Sequence, residues 1–293
     1  MTEKPIAKII YENTVQAFFQ KRLNRFTAEV RLKSRAEEDH TGHGQAADDH
    51  AKDSKKEKSR TELVHVKNTG RLKELLLPDA KVTLQKSTNP ARKTAYDLIS
   101  VYKPELGWVN IDSLVPNALM KKELQRRDYD LVRPEFTFGN SRFDFYMEKD
   151  GEKYLTEVKG CTLAADIPHG PGLLSTGLTQ PIGQAVPPKS SLSPDALPAP
   201  TKQVKTGLFP DAPTERGVKH LHELAAAARE GYRCEVAFVI QINGIHMVFP
   251  NDRTQPEFGE ALKDAMRAGV RVVCYSCHVE ADGIEIISHL SYR

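Results

Sequence analysis

"SRFDFYMEKDGEKYLTEVKG", residues 141–160, decides the fold of the second half of the chain. Its centre, Asp150-Gly151, suits the two central positions of a tight hairpin turn, each of which needs a positive φ. With these two residues as the loop, Lys149 pairs with Glu152. Counting outward then sets Asp144 opposite Glu157 and Arg142 opposite Lys159. Directly opposed side chains share a face, with Cβ atoms ~5 Å apart, and like charges so placed destabilise the pair. The other face of the first strand carries Phe143, Phe145 and Met147 and reads as core. A face built for cross-strand salt bridges would set opposite charges in register; here carboxylate meets carboxylate and cation meets cation. A divalent cation between Asp144 and Glu157 removes the repulsion. Hard oxygen ligands suit Mg²⁺ or Mn²⁺, and Lys159 lies two residues along the same face. The alternative is an exposed charged hairpin with diagonal Asp144–Lys159 pairing.

Outward from the hairpin, "SLVPNALMKKELQRRD" (113–128) has helical period, with Pro116 tolerated in the first turn. "PEFTFG" (134–139) reads as a strand. A Pro-, Gly- and Ser-rich interruption follows, 164–206 in outline, and is expected to be a flexible, largely unstructured insertion. A helix, the strand "CEVAFVIQI", a further helix and the strand "VRVVCYS" complete the order. This α-β-β-β-α-β-α-β succession belongs to a mixed-sheet α/β domain spanning 113–293.

The first 112 residues alternate in the strand sense at "RFTAEVRLK" (25–33) and "TELVHVK" (61–67). Between them, 35–60 is dense in both charge signs and too poor in apolar side chains to offset its ordering entropy, so it reads as a flexible insertion. His40, His43 and His50 within it lack the spacing of metal ligands, and a polar loop is the better account. "NTGRLKELLLPDAKVTL" predicts a turn, a short helix and a strand, and "TAYDLISVY" and "GWVNID" add two strands. Five short strands with one helix suit a small OB-type β-barrel, whose strand face and first long loop bind nucleic acid. The chain is thus α+β overall, a barrel followed by an α/β domain.

At 293 residues, the chain is long enough for two cores, by the prior of about 150 residues per domain. Its longest apolar run, "VAFVI", is far short of the ~20 residues that span a bilayer, and the N-terminal stretch carries no secretory pattern. Four cysteines do not form a disulfide framework; a cytoplasmic or other reducing compartment without disulfide-linked partners is expected. A net charge of +3 is too small to argue nucleic-acid binding. Its distribution says more: Arg22, Arg25, Arg31 and Lys33 are interleaved with Phe18, Phe19 and Phe26. Such a stretch suits phosphate contact and base stacking, or equally a solvated strand edge over core phenylalanines. Arg71 and Arg142 extend the set of candidate phosphate contacts.

Asp144 followed by Glu157-Val158-Lys159 across a hairpin resembles the PD-(D/E)xK nuclease core, with Phe143 in place of the proline of that name. The segments "NRFTAEV", "NTGRLKELL", "RKTAYDLI", "SRFDF", "EVKGCTL", "FPDAPTERGVKHLHEL" and "FPND" closely resemble the sugar fermentation stimulation protein family, in the family's order. That resemblance implies an N-terminal OB-like barrel joined to a C-terminal PD-(D/E)xK restriction-endonuclease-like domain, and an association with DNA binding; Lys/Arg contacts from the barrel to phosphate would give little sequence specificity. It implies that Asp144 and Glu157 hold the metal, that Lys159 orients or activates the attacking water, and that in-line attack leaves a 5′-phosphate. The rival is a non-catalytic DNA-binding regulatory protein on a nuclease-like scaffold. Both insertions depart from the family's compact form.

After "FPDAP", Arg216, Lys219, His220 and Glu223 share a helical stripe. Arg216 and Lys219 either hold a phosphate near the metal or form a solvated face. His220 is a candidate proton carrier or a surface histidine, and Glu135 a candidate third carboxylate. Cys274-x-x-Cys277 with His278 invites a zinc reading but lacks a second ligand pair at useful spacing.

Overall fold

The computed structural model describes residues 7–33, 60–168 and 203–292. These form two compact units, one built on Ile10–Ser113 and one on Leu114–Val279 with flanking pieces. The first strand, β1 (Lys8–Ile10), belongs to the sheet of the second unit.

The first unit contains β2 (Thr14–Arg22), β3 (Thr27–Leu32), β4 (Thr61–Val66), β5 (Lys81–Lys86), β6 (Tyr96–Lys103) and β7 (Gly107–Asn110). They pair in the order β4-β3-β2-β5-β6-β7, and a parallel β4–β6 contact at His65↔Asp97 and Val66↔Leu98 closes the first five into a barrel. Alternation drives the closure. Ala17, Phe19, Ala28, Val30, Val64, Val66, Val82, Leu84 and Leu98 all point into the barrel core and are buried. This is the OB architecture, but its strands are not quite those expected. Thr14–Arg22, read above only as a basic and aromatic stretch, is a full barrel strand, whereas "GWVNID" supplies β7, a hairpin extension of β6. The short helix expected after residue 70 is a turn: the N–H groups of Leu75 and Leu76 both donate to the Leu72 carbonyl, and Leu72 has φ 50°.

Two polar clusters reinforce the barrel. The Arg22 guanidinium donates to five backbone carbonyls, those of Asn24, Arg25, Asn68, Gly70 and Arg71. An arginine has no N–H left after five such bonds, so Arg22 is a structural clip between two loops and not the phosphate contact expected. At the closure seam, Asp97 accepts from Arg92 (2.7 Å) and pairs with His65 Nδ1 (2.9 Å).

The second unit runs α1 (Val115–Arg126), β8 (Leu131–Phe138), β9 (Ser141–Lys149), β10 (Glu152–Cys161), β11 (Leu163–Pro168), β12 (Gln203–Phe209), α2 (Glu215–Arg229), β13 (Arg233–Ile240), β14 (Val248–Pro250), α3 (Pro256–Arg267), β15 (Arg271–Val279) and β16 (Gly283–Ser291). The main sheet has the order β1-β16-β15-β13-β10-β9-β8, with β10, β13 and β15 mutually parallel. It is a mixed sheet, as the element order required. β13 is buried from Cys234 to Ile240, the near-continuous apolar pattern of a parallel strand covered on both faces. Helix α1 closes on β10 at Gly160, where an added Cβ would lie 2.8 Å from Pro116 Cγ and 2.4 Å from Gln241 Oε1.

A second sheet, β11-β12-β14, corrects the expected insertion. Residues 164–168 and 203–206 are strand, paired antiparallel from Leu163↔Leu208 to Pro168↔Gln203. The proline and glycine density of the middle masked two ordinary strand ends. Residues 169–202 lie outside the described residues, as do 35–59 with His40, His43 and His50.

Two stability predictions follow from the barrel. Arg22→Ala should cost about 1–3 kcal/mol in urea unfolding, and Arg22→Lys should recover only part of it, because an ammonium has fewer donors. Burial pushes the Asp97 carboxyl up, but Arg92 and then His65 outweigh it and hold the group below its ordinary 3.8. Its contribution is therefore complete above that value and is lost as pH falls through the lower folded-state pKa. An acid titration of Asp97→Asn should lack this component of the wild-type transition.

Candidate metal and phosphate site

The turn forms as the dipeptide dictates: Asp150 has φ 52° and Gly151 φ 76°. From it the ladder runs Lys149↔Glu152 to Phe145↔Thr156, so the register is the one counted from sequence. The next step outward would pair Asp144 with Glu157, and there the strands part. The Val158 N–H donates to Asp144 Oδ2 at 2.7 Å, while Glu157 stays in β10, beside Val236 of β13. β9 continues with β8 instead, pairing Arg142 with Thr137. The expected Arg142–Lys159 pair does not form.

Asp144 sits at this fork. Its Oδ1 accepts from Asn117 Nδ2 in the first turn of α1 at 2.7 Å. Glu157 is only 3% exposed. Its Oε1 accepts from Lys159 Nζ at 2.6 Å and faces His220 Nδ1 at 2.5 Å. Its Oε2 is buried with no hydrogen-bond partner. The diagonal Asp144–Lys159 pair is thus replaced by Lys159–Glu157. The two carboxylates nevertheless feel each other: burial first, then the charge of Glu157, raise the Asp144 carboxyl above the ordinary range. Burial pushes Glu157 up as well, but the Lys159 ammonium and the His220 hydrogen bond override it and hold Glu157 low. One acid is firmly ionised and the other is reluctant, the pattern expected of like charges sharing a site.

Helix α2 supplies the second wall. Thr214 caps it, with Oγ1 accepting from the Gly217 N–H at 2.9 Å. Further along the helix, His220 is 4% exposed, so it is a buried residue and not a surface histidine. Arg216 Nε donates to His220 Nε2 at 3.3 Å. Lys219 Nζ donates to the Asn140 carbonyl at 3.0 Å and lies 3.7 Å from Glu223. Between the helix and the β8–β9 turn lies a groove of about 470 Å³, lined by residues 140–142 and by Glu215, Arg216, Lys219 and His220. Arg142, Arg216 and Lys219 make it cationic, with Glu215 as the one opposing acid among its lining residues.

Other candidates fall elsewhere. Glu135 adopts φ 54°, points its carboxylate outward at 68% exposure and lies 3.6 Å from Arg142. It is not a third carboxylate beside Asp144. Arg25 and Arg71 are exposed on the barrel unit, Lys33 is half-buried at the end of β3, and Arg31 stacks 4.4 Å above the Phe18 ring. Cys274 and Cys277 are free and buried, burial pushes both thiols up, that of Cys274 to about 12, and the zinc reading has no support. Among the described residues no group of three or more His, Cys, Asp or Glu is placed to hold a metal. A cation at Asp144 and Glu157 would complete its shell from water, phosphate or backbone oxygens. Among the same residues no helix is long and apolar enough to cross a membrane. Asn117 went unread in the sequence, where a lone asparagine in a helical first turn carries no signal of its partner.

Residues 111–171 and 200–283 match the family described as "Sugar fermentation stimulation protein RE domain", and residues 21–111 match the "SfsA N-terminal OB domain". A sugar fermentation stimulation protein homolog of Ruminiclostridium cellulolyticum is 35% identical over 97% of this chain and 99% of its own length. One from Clostridium botulinum is 36% identical over 96% and 98%. A solved structure, that of Pyrococcus furiosus SfsA in complex with Ca²⁺, superposes with a TM-score of 0.66 at 21% identity and covers 96% of each chain; at that identity the likeness concerns the fold. With both halves matched in order and full-length relatives above 30% identity, the chain belongs to the sugar fermentation stimulation protein family.

Proposed function

We propose that this protein binds DNA with little sequence readout and cleaves phosphodiester bonds at a divalent-cation site formed by Asp144 and Glu157. The observation that carries the reading is the buried Oε2 of Glu157, which has no hydrogen-bond donor. An ionised carboxylate oxygen left bare in the interior costs about 1–3 kcal/mol or more, and a hard cation offsets that cost together with the repulsion from Asp144. The Ca²⁺ complex of the Pyrococcus furiosus relative supports a hard divalent ion; Mg²⁺ or Mn²⁺ is our assignment here. When bound, such an ion polarises a phosphoryl oxygen and lowers the pKa of a coordinated water.

The chain's own side chains divide the remaining work. Asp144, held by Asn117 and the Val158 N–H, presents a fixed carboxylate. Lys159, anchored to Glu157 and only 13% exposed at its side chain, holds positive charge where negative charge develops on the phosphate. Arg142, Arg216 and Lys219 line the groove and bind flanking phosphates. The four free thiols suit a cytoplasmic or otherwise reducing compartment. A second reading, a DNA-binding regulatory protein without turnover, is favoured by the absence of a third ligating side chain among the described residues.

Purified protein incubated with single-stranded, duplex and branched DNA and with RNA, plus Mg²⁺ or Mn²⁺, separates the two. Cleavage by wild type and not by Asp144→Ala is the expected result. Equal cleavage by both would point to a contaminant, and salt-sensitive binding without cleavage would favour the regulatory reading. In binding titrations, Arg216→Ala with Lys219→Ala should weaken DNA affinity uniformly across sequences. The slope of log K against log salt should fall by about 2.

A further inference from the structure

The pair of hydrogen bonds on His220 carries a consequence for Glu157 that rests on the metal-site reading above. An arginine is always protonated and accepts nothing. Because Arg216 Nε donates to His220 Nε2 (3.3 Å), Nε2 must be the bare nitrogen of the ring. The ring proton is then on Nδ1, which donates to Glu157 Oε1. Lys159 donates to the same oxygen. Oε1 thereby accepts from two donors, while the buried Oε2 receives none. A purely structural Glu–His pair in a packed interior would be expected to satisfy both oxygens; this one satisfies a single oxygen twice.

We propose that His220 is a positioning residue: through Nδ1–H it locks Glu157 so that Oε2 alone is offered to the cation. Arg216 selects the required tautomer from the far side of the ring. The ring is held for this task, standing edge-on to Phe143 (centroids 5.9 Å apart, 67° between planes) on the helix that Thr214 caps. The role differs from the proton carrier suggested by sequence. His220 transfers nothing, and Glu157 acts as a ligand through one oxygen.

Calorimetric titration of the full chain with Mn²⁺ tests this in four proteins: wild type, Glu157→Ala, His220→Ala and His220→Asn. Loss of a hydrogen-bonding partner behind a metal ligand typically costs 10–100-fold in affinity, and His220→Ala should weaken Mn²⁺ binding by about that factor. The Asn amide can place a donor where Nδ1 stood, so His220→Asn should retain most of the affinity. Long-range ¹H–¹⁵N spectra of the metal-free wild type should show His220 protonated on Nδ1 and bare on Nε2, a readout that needs no metal. Wild-type affinity in His220→Ala, with binding lost in Glu157→Ala, would overturn the positioning role and leave the metal site standing. His220→Asn as weak as His220→Ala, or a proton on Nε2, would also overturn it. No Mn²⁺ binding by wild type, or binding indifferent to Glu157→Ala, would overturn the site and the inference together.

Discussion

The second unit depends on one capture, the Asp144 carboxylate taking the N–H of Val158 where the β9–β10 ladder stops. A sheet can fork only if the backbone groups exposed by the fork find other partners. Here a side chain takes one of them, so β10 remains with β13 while β9 goes on paired with β8 alone. The split gives an acid a place inside the sheet. It also lets two helices reach the fork, α1 through Asn117 and α2 through His220. Without it Asp144 and Glu157 would be simple cross-strand neighbours on a continuous surface.

Electrostatics and packing then work against each other at close range. Burial raises the energy of both carboxylates, and Lys159 and His220 relieve Glu157 alone. Interiors keep such arrangements when something outside the fold's own stability requires them. The surrounding structure is correspondingly well determined. α2 starts at a satisfied cap, Gly217 admits the Thr214 side chain where a Cβ would lie 2.8 Å from its methyl, and Gly160 brings α1 onto β10.

Much of this was legible from residues because hairpins are local. Asp150-Gly151 specifies the turn, the turn specifies the register, and the alternation of Phe143, Phe145 and Met147 specifies the buried face. The family resemblance placed the barrel before the α/β domain. What escaped depends on partners distant in sequence. Thr14–Arg22 is a barrel strand because β5 pairs with it on one side and β3 on the other, although its cations and paired phenylalanines obscure the alternation. β16 lies between β15 and the edge strand β1, beyond the last strand expected, and β14 is a three-residue piece paired with β12. Arg22 looked like a phosphate ligand because a sequence shows charge and not the carbonyls that surround it. Glu135 lies on the neighbouring strand, but its side chain is 68% exposed and sits beside Arg142.

That same turn of β8 has a consequence for the protein among its own copies. β8 is one edge of the main sheet, and an edge strand offers its unpaired backbone to any extended chain. Pro134 has no N–H to give, Glu135 bends the strand at φ 54°, and Arg133 stands beside them. The opposite edge, β1, is three residues long. Among the described residues neither border presents a long run of straight backbone to template a foreign strand. The described sheet therefore ends in a bent strand on one side and a short one on the other, and the cationic groove lies beside the bent one, at the β8–β9 turn.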